Sequence, residues 1–133
     1  GIRELSDHYR DAGEYLKSHA LQSIAIEAAE GFAELLHDRL RKMWGIGDPA
    51  GMTIREKFQG KYRGIRVSFG YPACPNLEDQ AILFKLLDPE KNAGITLTEG
   101  FMMEPEATVS ALVFHHPKAR YFSVGQAAAA AAE

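Results

Sequence analysis

Residues 21–43 read LQSIAIEAAEGFAELLHDRLRKM. Leu21, Ala25, Ala28, Phe32, Leu36, Leu40 and Met43 recur at steps of three and four, which places them on one apolar helical stripe. The opposite face carries Glu27, Glu30, Glu34, Asp38, Arg41 and Lys42. Asp38 precedes Arg41 and Lys42 at pairing distance, and the basic end suits a helix C-terminus. No proline interrupts the run from Glu14 to Trp44, and Gly31 is its only internal glycine, so the spacing predicts one long helix. A shorter helix is expected before it, around Arg3 to Asp11, broken near Gly13.

Beyond Trp44 the signals are local. Gly45 to Met52 has the turn residues of a connection, with Gly47-Asp48-Pro49-Ala50-Gly51 at its centre. Thr53-Ile54-Arg55-Glu56 has capping-box spacing and predicts a short helix to about Gly60. Lys61 to Asn76 shows no clean period and reads as an extended loop. A helix from Leu77 to Leu87 follows, ended by Asp88-Pro89. The last third changes period. Ile95, Leu97 and Glu99 alternate with threonines, Val109, Ala111 and Val113 alternate with their neighbours, and Arg120 to Val124 is a third β-rich run. The short connections Glu104-Pro105-Glu106 and His116-Pro117-Lys118 suit antiparallel neighbours. The expectation is an α+β fold: long N-terminal helices packed on a small antiparallel β-meander.

Composition narrows the class. A chain of 133 residues has room for one domain or part of one, and 46% hydrophobic with 25% charged residues is an ordinary soluble mix. Fifteen lysines and arginines against eighteen acids give −3, which offers no whole-protein field for nucleic acid or an anionic membrane but leaves room for a local basic patch. The single Cys74 makes neither an internal disulfide nor a cysteine-rich zinc site, and a reducing cytoplasm fits that usage. No apolar run approaches the roughly 20 residues of a membrane span. The first seven residues lack the apolar core of a signal peptide. Ala127 to Ala132, followed by Glu133, has no amphipathic face and is set aside as a non-functional tail, leaving 1–126.

Arg66-Val67-Ser68-Phe69-Gly70-Tyr71-Pro72-Ala73-Cys74-Pro75 is the unusual stretch. Two prolines fix φ and Gly70 permits close backbone approach, so its backbone groups are not all absorbed by regular structure. Such a loop suits recognition of a polar small molecule, with Arg66 forking onto a carboxylate and Tyr71 stacking or donating. On the residues alone, a structural loop whose prolines limit unfolded-state entropy is the favoured reading.

Arg66 to Pro75, read as Arg-x-x-x-Gly-Tyr-Pro-Ala-Cys-Pro, resembles the S-adenosylmethionine-binding signature of the activation domain of cobalamin-dependent methionine synthase. Ala29-Glu30-Gly31-Phe32-Ala33-Glu34 with Leu36-His37-Asp38-Arg39 resembles that domain's long helix. Lys61 to Ile65, Asn76 to Gln80, and His115 to Phe122 resemble its flanking and closing segments, so the likeness runs from about Glu14 to Val124. The resemblance implies a module that binds S-adenosylmethionine and supports reductive methylation of cob(II)alamin. Cobalamin would be supplied by a partner domain, and an electron by flavodoxin or an equivalent reductase. It implies that Arg66, Gly70, Tyr71 and Ala73 line the ligand site, that Tyr121 and Phe122 add a wall, and that Glu30 faces the positive ligand. Glu30 also reads as a solvated acid on a polar helix face. An aromatic face at Tyr71, Tyr121 or Phe122 suits a sulfonium or an adenine.

The likeness has departures. The family domain is longer and contributes an acidic contact from an N-terminal portion, so 1–126 reads as a partial domain and not a complete catalyst. Gly60 stands where some members have glutamate, and Phe122 where some have a second tyrosine. A non-catalytic docking domain for a corrinoid protein, without ligand binding, is the alternative. Glu34-Leu35-Leu36-His37 has the Glu-x-x-His spacing of di-iron helices but lacks a second such pair, so a metal is not expected and His37 is placed near Glu34, Asp38 or Arg41. His115 and His116, adjacent on a strand, point to opposite faces. Cys74 has no histidine nearby in sequence, which favours packing over nucleophilic chemistry.

Overall fold

The computed structural model describes residues 1–125; the alanine run lies outside the described residues. Helix α1 (Ile2–Asp11) turns at Gly13 into the 29-residue α2 (Tyr15–Met43). At 1.5 Å per residue, α2 is about 43 Å long and is the spine of the molecule. The two helices are tied by a buried polar cluster. Ser6 and Ser18 hydroxyls lie 2.8 Å apart, and the Gln22 amide donates to Ser6 Oγ at 2.8 Å. Buried hydroxyls that find one another in this way avoid the cost of unsatisfied burial.

Helix α3 (Ile54–Phe58) starts at the expected capping box: Thr53 Oγ1 accepts from the Glu56 amide, and Glu56 accepts from the Thr53 amide at 2.9 Å. A single 3-10 turn (Leu77–Asp79) leads into α4 (Gln80–Leu87). Asp88, in the left-handed conformation at φ 47°, ends α4 as expected, and Pro89 then opens a further helix, α5 (Pro89–Ala93). Proline suits that first helical position because its missing N–H would be unpaired there anyway.

The α+β class is borne out, but the strands do not form one meander. Ile65–Ser68, read from sequence as loop, is strand β1. Strands β2 (Thr96–Leu97) and β3 (Met103–Glu104) pair with each other, whereas β4 (Ala111–Phe114) pairs antiparallel with β1. Ile65 faces Phe114 and Val67 faces Leu112 in that register. The run Arg120 to Val124 is not a strand; its one backbone tie among the described residues is the Val124 amide to the Pro72 carbonyl, at 3.0 Å. Buried Gln80 ties α4 to the β2–β3 turn and to the residue before β4, donating to the Phe101 carbonyl at 2.9 Å and accepting from Ser110 Oγ at 2.5 Å.

The apolar core is small. Among the described residues only Ala25 and Val67 are buried hydrophobics, while Leu16, Phe58 and Met43 are 82%, 81% and 79% exposed. The fully buried large side chains are instead polar: Arg41, His37 and Gln80.

The β1–β4 pairing depends on a glycine. Gly64 has φ +86°, and a Cβ there would stand 2.8 Å from the Phe114 carbonyl oxygen, a backbone atom that cannot swing away. Gly60 also has a positive φ but open space around its Cα. Gly60→Ala should therefore carry only the left-handed penalty of about 1–2 kcal/mol. Gly64→Ala should lose about 1–3 kcal/mol more, as an overpacked site does. Urea unfolding of the two variants checks this, and equal losses would contradict it.

Candidate functional site

The signature loop leaves β1 at Ser68 and reverses on itself. The Gly70 amide donates to the Cys74 carbonyl and the Cys74 amide to the Tyr71 carbonyl, each at 2.8 Å. Gly70 takes φ +84°, and a Cβ on it would come within 3.1 Å of Leu77 Cδ2. The loop is therefore a closed turn pinned to the residue that starts the next helical segment. Three of its carbonyls (Tyr71, Pro72 and Cys74) already accept from the chain itself. Burial, with Asp79 adding to it, pushes the Cys74 thiol up from its ordinary value, which keeps it protonated and unreactive at neutral pH.

Arg66 on β1 points back to α2. Its Nη2 donates to Glu30 Oε2 and to Glu34 Oε1, both at 3.3 Å, and its Nη1 donates to Ser68 Oγ at 3.2 Å. Glu30 and Glu34 are one helical turn apart, so both reach the same guanidinium. The Tyr62 hydroxyl donates to Glu34 at 3.3 Å, and its ring lies 3.8 Å from the Arg41 guanidinium. Arg41 in turn forks onto Asp48, with Nε to Oδ1 at 3.1 Å and Nη2 to Oδ2 at 3.2 Å. Lys57 completes the line, 3.0 Å from Asp48. Burial raises the Asp48 carboxyl, but the bonds from Lys57 and Arg41 outweigh it, so Asp48 sits below the usual range.

The residues expected from sequence fall on three faces. Arg66 and Tyr121 line a cleft of about 830 Å³ that also holds Lys61, Arg63 and Arg120 and, among the described residues, no carboxylate. Ala73 and Phe122 line a second cavity of about 500 Å³, walled by Cys74, Val67 and Phe114. His116, Ala119 and Arg120 border both, so the 116–122 segment is their common wall. Gly70 and Tyr71 line neither, and Tyr71 is exposed. Glu30 borders a third groove between α2 and α3 and meets the cleft through its contact with Arg66. The net charge of −3 thus conceals a locally cationic cleft.

Glu34, Tyr62 and Arg41 were not singled out in this role. Glu34 was legible as the i+4 partner of Glu30, and Tyr62 stands four residues before Arg66, but neither spacing names a contact. His37 packs edge-on against Tyr62 with ring centroids 5.2 Å apart, and neither ring nitrogen has a hydrogen-bond partner among the described residues. Among those residues no group of three or more His, Cys, Asp or Glu is placed to hold a metal ion, and no helix is long and apolar enough to cross a membrane.

With the geometry in place, the comparisons are specific. Residues 1–132 match the family described as vitamin B12 dependent methionine synthase, activation domain. The chain belongs to that family. It is 39% identical over 125 residues to methionine synthase of Mycobacterium tuberculosis and 38% over 126 residues to that of Mycobacterium leprae. Each alignment covers 90% of this chain and 10% of the relative, so the chain spans about a tenth of the length of these curated relatives. A crystal structure of the MetH reactivation domain bound to AdoHcy superposes with a TM-score of 0.85 and 37% identity, covering 92% of this chain and 38% of that one.

His37 makes the polar line sensitive to acid. Burial first, then the Arg41 charge, holds its imidazole below its ordinary value; Arg66 acts the same way, while Glu34 and Asp48 oppose. The folded state therefore binds its proton less readily than the unfolded chain. The stability contributed is present above about pH 6.5 and is lost as pH falls through the lower folded value. Melting temperature should fall more steeply between about pH 7 and 5 for the wild type than for His37→Phe, which keeps a ring against Tyr62. Parallel curves in thermal melts across that range would contradict the assignment.

Proposed function

We propose that the chain is an S-adenosylmethionine-binding activation module of vitamin B12-dependent methionine synthase, supporting reductive methylation of cob(II)alamin. The observation that carries this reading is the likeness, at 37% identity, to a reactivation domain bound to AdoHcy, together with a signature loop closed into a hydrogen-bonded turn next to Arg66. The corrinoid, held on another domain, would supply the reducible acceptor for the sulfonium methyl group, and S-adenosylhomocysteine would be what remains of the donor. The chain's own part is to bind and orient the methyl donor. Arg66 in the cationic cleft offers guanidinium donors to the ligand carboxylate. Glu30 and Glu34 offer carboxylates to its ammonium or sulfonium, and the rings of Tyr121 and Phe122 offer faces to the sulfonium or adenine.

Gly70, Tyr71 and Ala73 complete this site in the proposal, as the loop that caps it. The module is not a complete catalyst; it acts on a cobalamin-binding domain and on flavodoxin or an equivalent reductase, in the cytoplasm. The coverage of 38% of the structural neighbour and the bare apolar side chains of α2, α3 and α4 support reading 1–126 as part of a larger domain. One observation favours the competing reading, a docking domain that does not bind the ligand. The Arg66 guanidinium already has two carboxylates against it.

Calorimetric titration with S-adenosylmethionine separates the two. Binding heat is expected for the wild type, and Arg66→Ala should weaken it by about 1.5–3 kcal/mol, the worth of hydrogen bonds to a charged group. Tyr71→Ala should weaken binding while stability changes by no more than about 0.5 kcal/mol, as at other exposed positions. No heat from the wild type at millimolar ligand would sink the binding reading.

A further inference from the structure

The bonds that hold Arg66 are long. Charge-assisted N–H···O pairs usually close to about 2.7–2.9 Å, yet both carboxylates stand 3.3 Å from Arg66 Nη2. Glu34 Oε1 is shared: it accepts from Arg66 Nη2 at 3.3 Å and from the Tyr62 hydroxyl at 3.3 Å, and Glu34 Oε2 lies 3.4 Å from the same hydroxyl. The position of that hydroxyl is fixed from the far side of the ring. Tyr62 is stacked on Arg41 and abutted by His37, and Arg41 is locked by the fork to Asp48. Arg41 and His37 are each 1% exposed, so this support has no room to drift.

We infer that Tyr62 is a positioning residue for ligand binding: its hydroxyl draws Glu34 back and divides its charge, leaving the Arg66 guanidinium ordered but incompletely neutralised. This rests on the reading that the amino-acid end of S-adenosylmethionine reaches Arg66. An incoming carboxylate then displaces a shared, stretched contact and not a closed ion pair. Tyr62→Phe keeps the ring against Arg41 and His37 but frees Glu34 to close fully onto Arg66. The loss should fall on ligands that carry the carboxylate and spare those that do not.

The test titrates wild type and Tyr62→Phe with S-adenosylmethionine and with methylthioadenosine, which lacks the amino-acid end. S-adenosylmethionine affinity should drop about five- to tenfold, the scale of one hydrogen bond, with methylthioadenosine affinity and melting temperature unchanged. In a Glu34→Gln background the Tyr62→Phe effect should vanish, because the two residues act through one contact. Equal losses for both ligands, or an undiminished loss without Glu34, would overturn the inference while leaving ligand binding intact. If the wild type binds neither ligand, the proposed function fails, and the positioning is read without ligand from the Arg66 Nε–H resonance. That signal should move in Tyr62→Phe and stay in place when Tyr62→Phe is added to Glu34→Gln; an unmoved signal would contradict the inference.

Discussion

A guanidinium buried in the middle of a small protein must be paired or the fold fails, and Arg41 is such a group. Removing the partner of a buried charge costs about 3–5 kcal/mol, whereas a well-made pair merely offsets its own desolvation. The Asp48 fork therefore does more to specify than to stabilise. It fixes the Gly45–Met52 connection against α2, and Lys57 on α3 closes over the same carboxylate. Tyr62 covers the remaining face of Arg41, which fixes where the chain stands as it enters β1. Arg66 is four residues farther on, and the signature loop begins where β1 ends. One buried charge thus sets the position of the candidate site.

The parts of this arrangement that sequence discloses are those carried by local physics. The stripe from Leu21 to Met43 gave a long helix because its period is complete within itself. Thr53 and Glu56 announced α3 because a capping box is a contact between near neighbours. Strand β1 was hidden for the opposite reason. Ile65 and Val67 alternate over only four residues, and what makes them a strand is β4, a partner far along the chain. The meander expectation failed with it, since short connections suggest sequential pairing and tertiary packing chose another partner.

The signature motif was legible in the sequence, and the side chains that pack around Arg66 were not. Arg66, Gly70, Tyr71 and Ala73 stand within one motif, and the structure adds that Arg66 and Glu30 meet while Tyr71 is exposed. What the motif does not contain is the roles of Glu34, Tyr62 and Arg41, residues of ordinary helical or loop character. A buried ion pair has no period. The net charge says nothing of how charges are distributed, and the cleft beside Tyr121 is lined by Lys61, Arg63, Arg66 and Arg120.

In the proposed site the methyl donor's amino-acid end would lie at Arg66, with the turn from Gly70 to Cys74 as its cap and the 116–122 segment as its wall. A crystal structure of this chain with S-adenosylhomocysteine tests it most directly. The account predicts ligand density whose carboxylate lies within hydrogen-bonding distance of Arg66, with Tyr121 or Phe122 against the ligand. Density in the groove between α2 and α3, or a ligand that leaves Arg66 with both glutamates and no new partner, would contradict it.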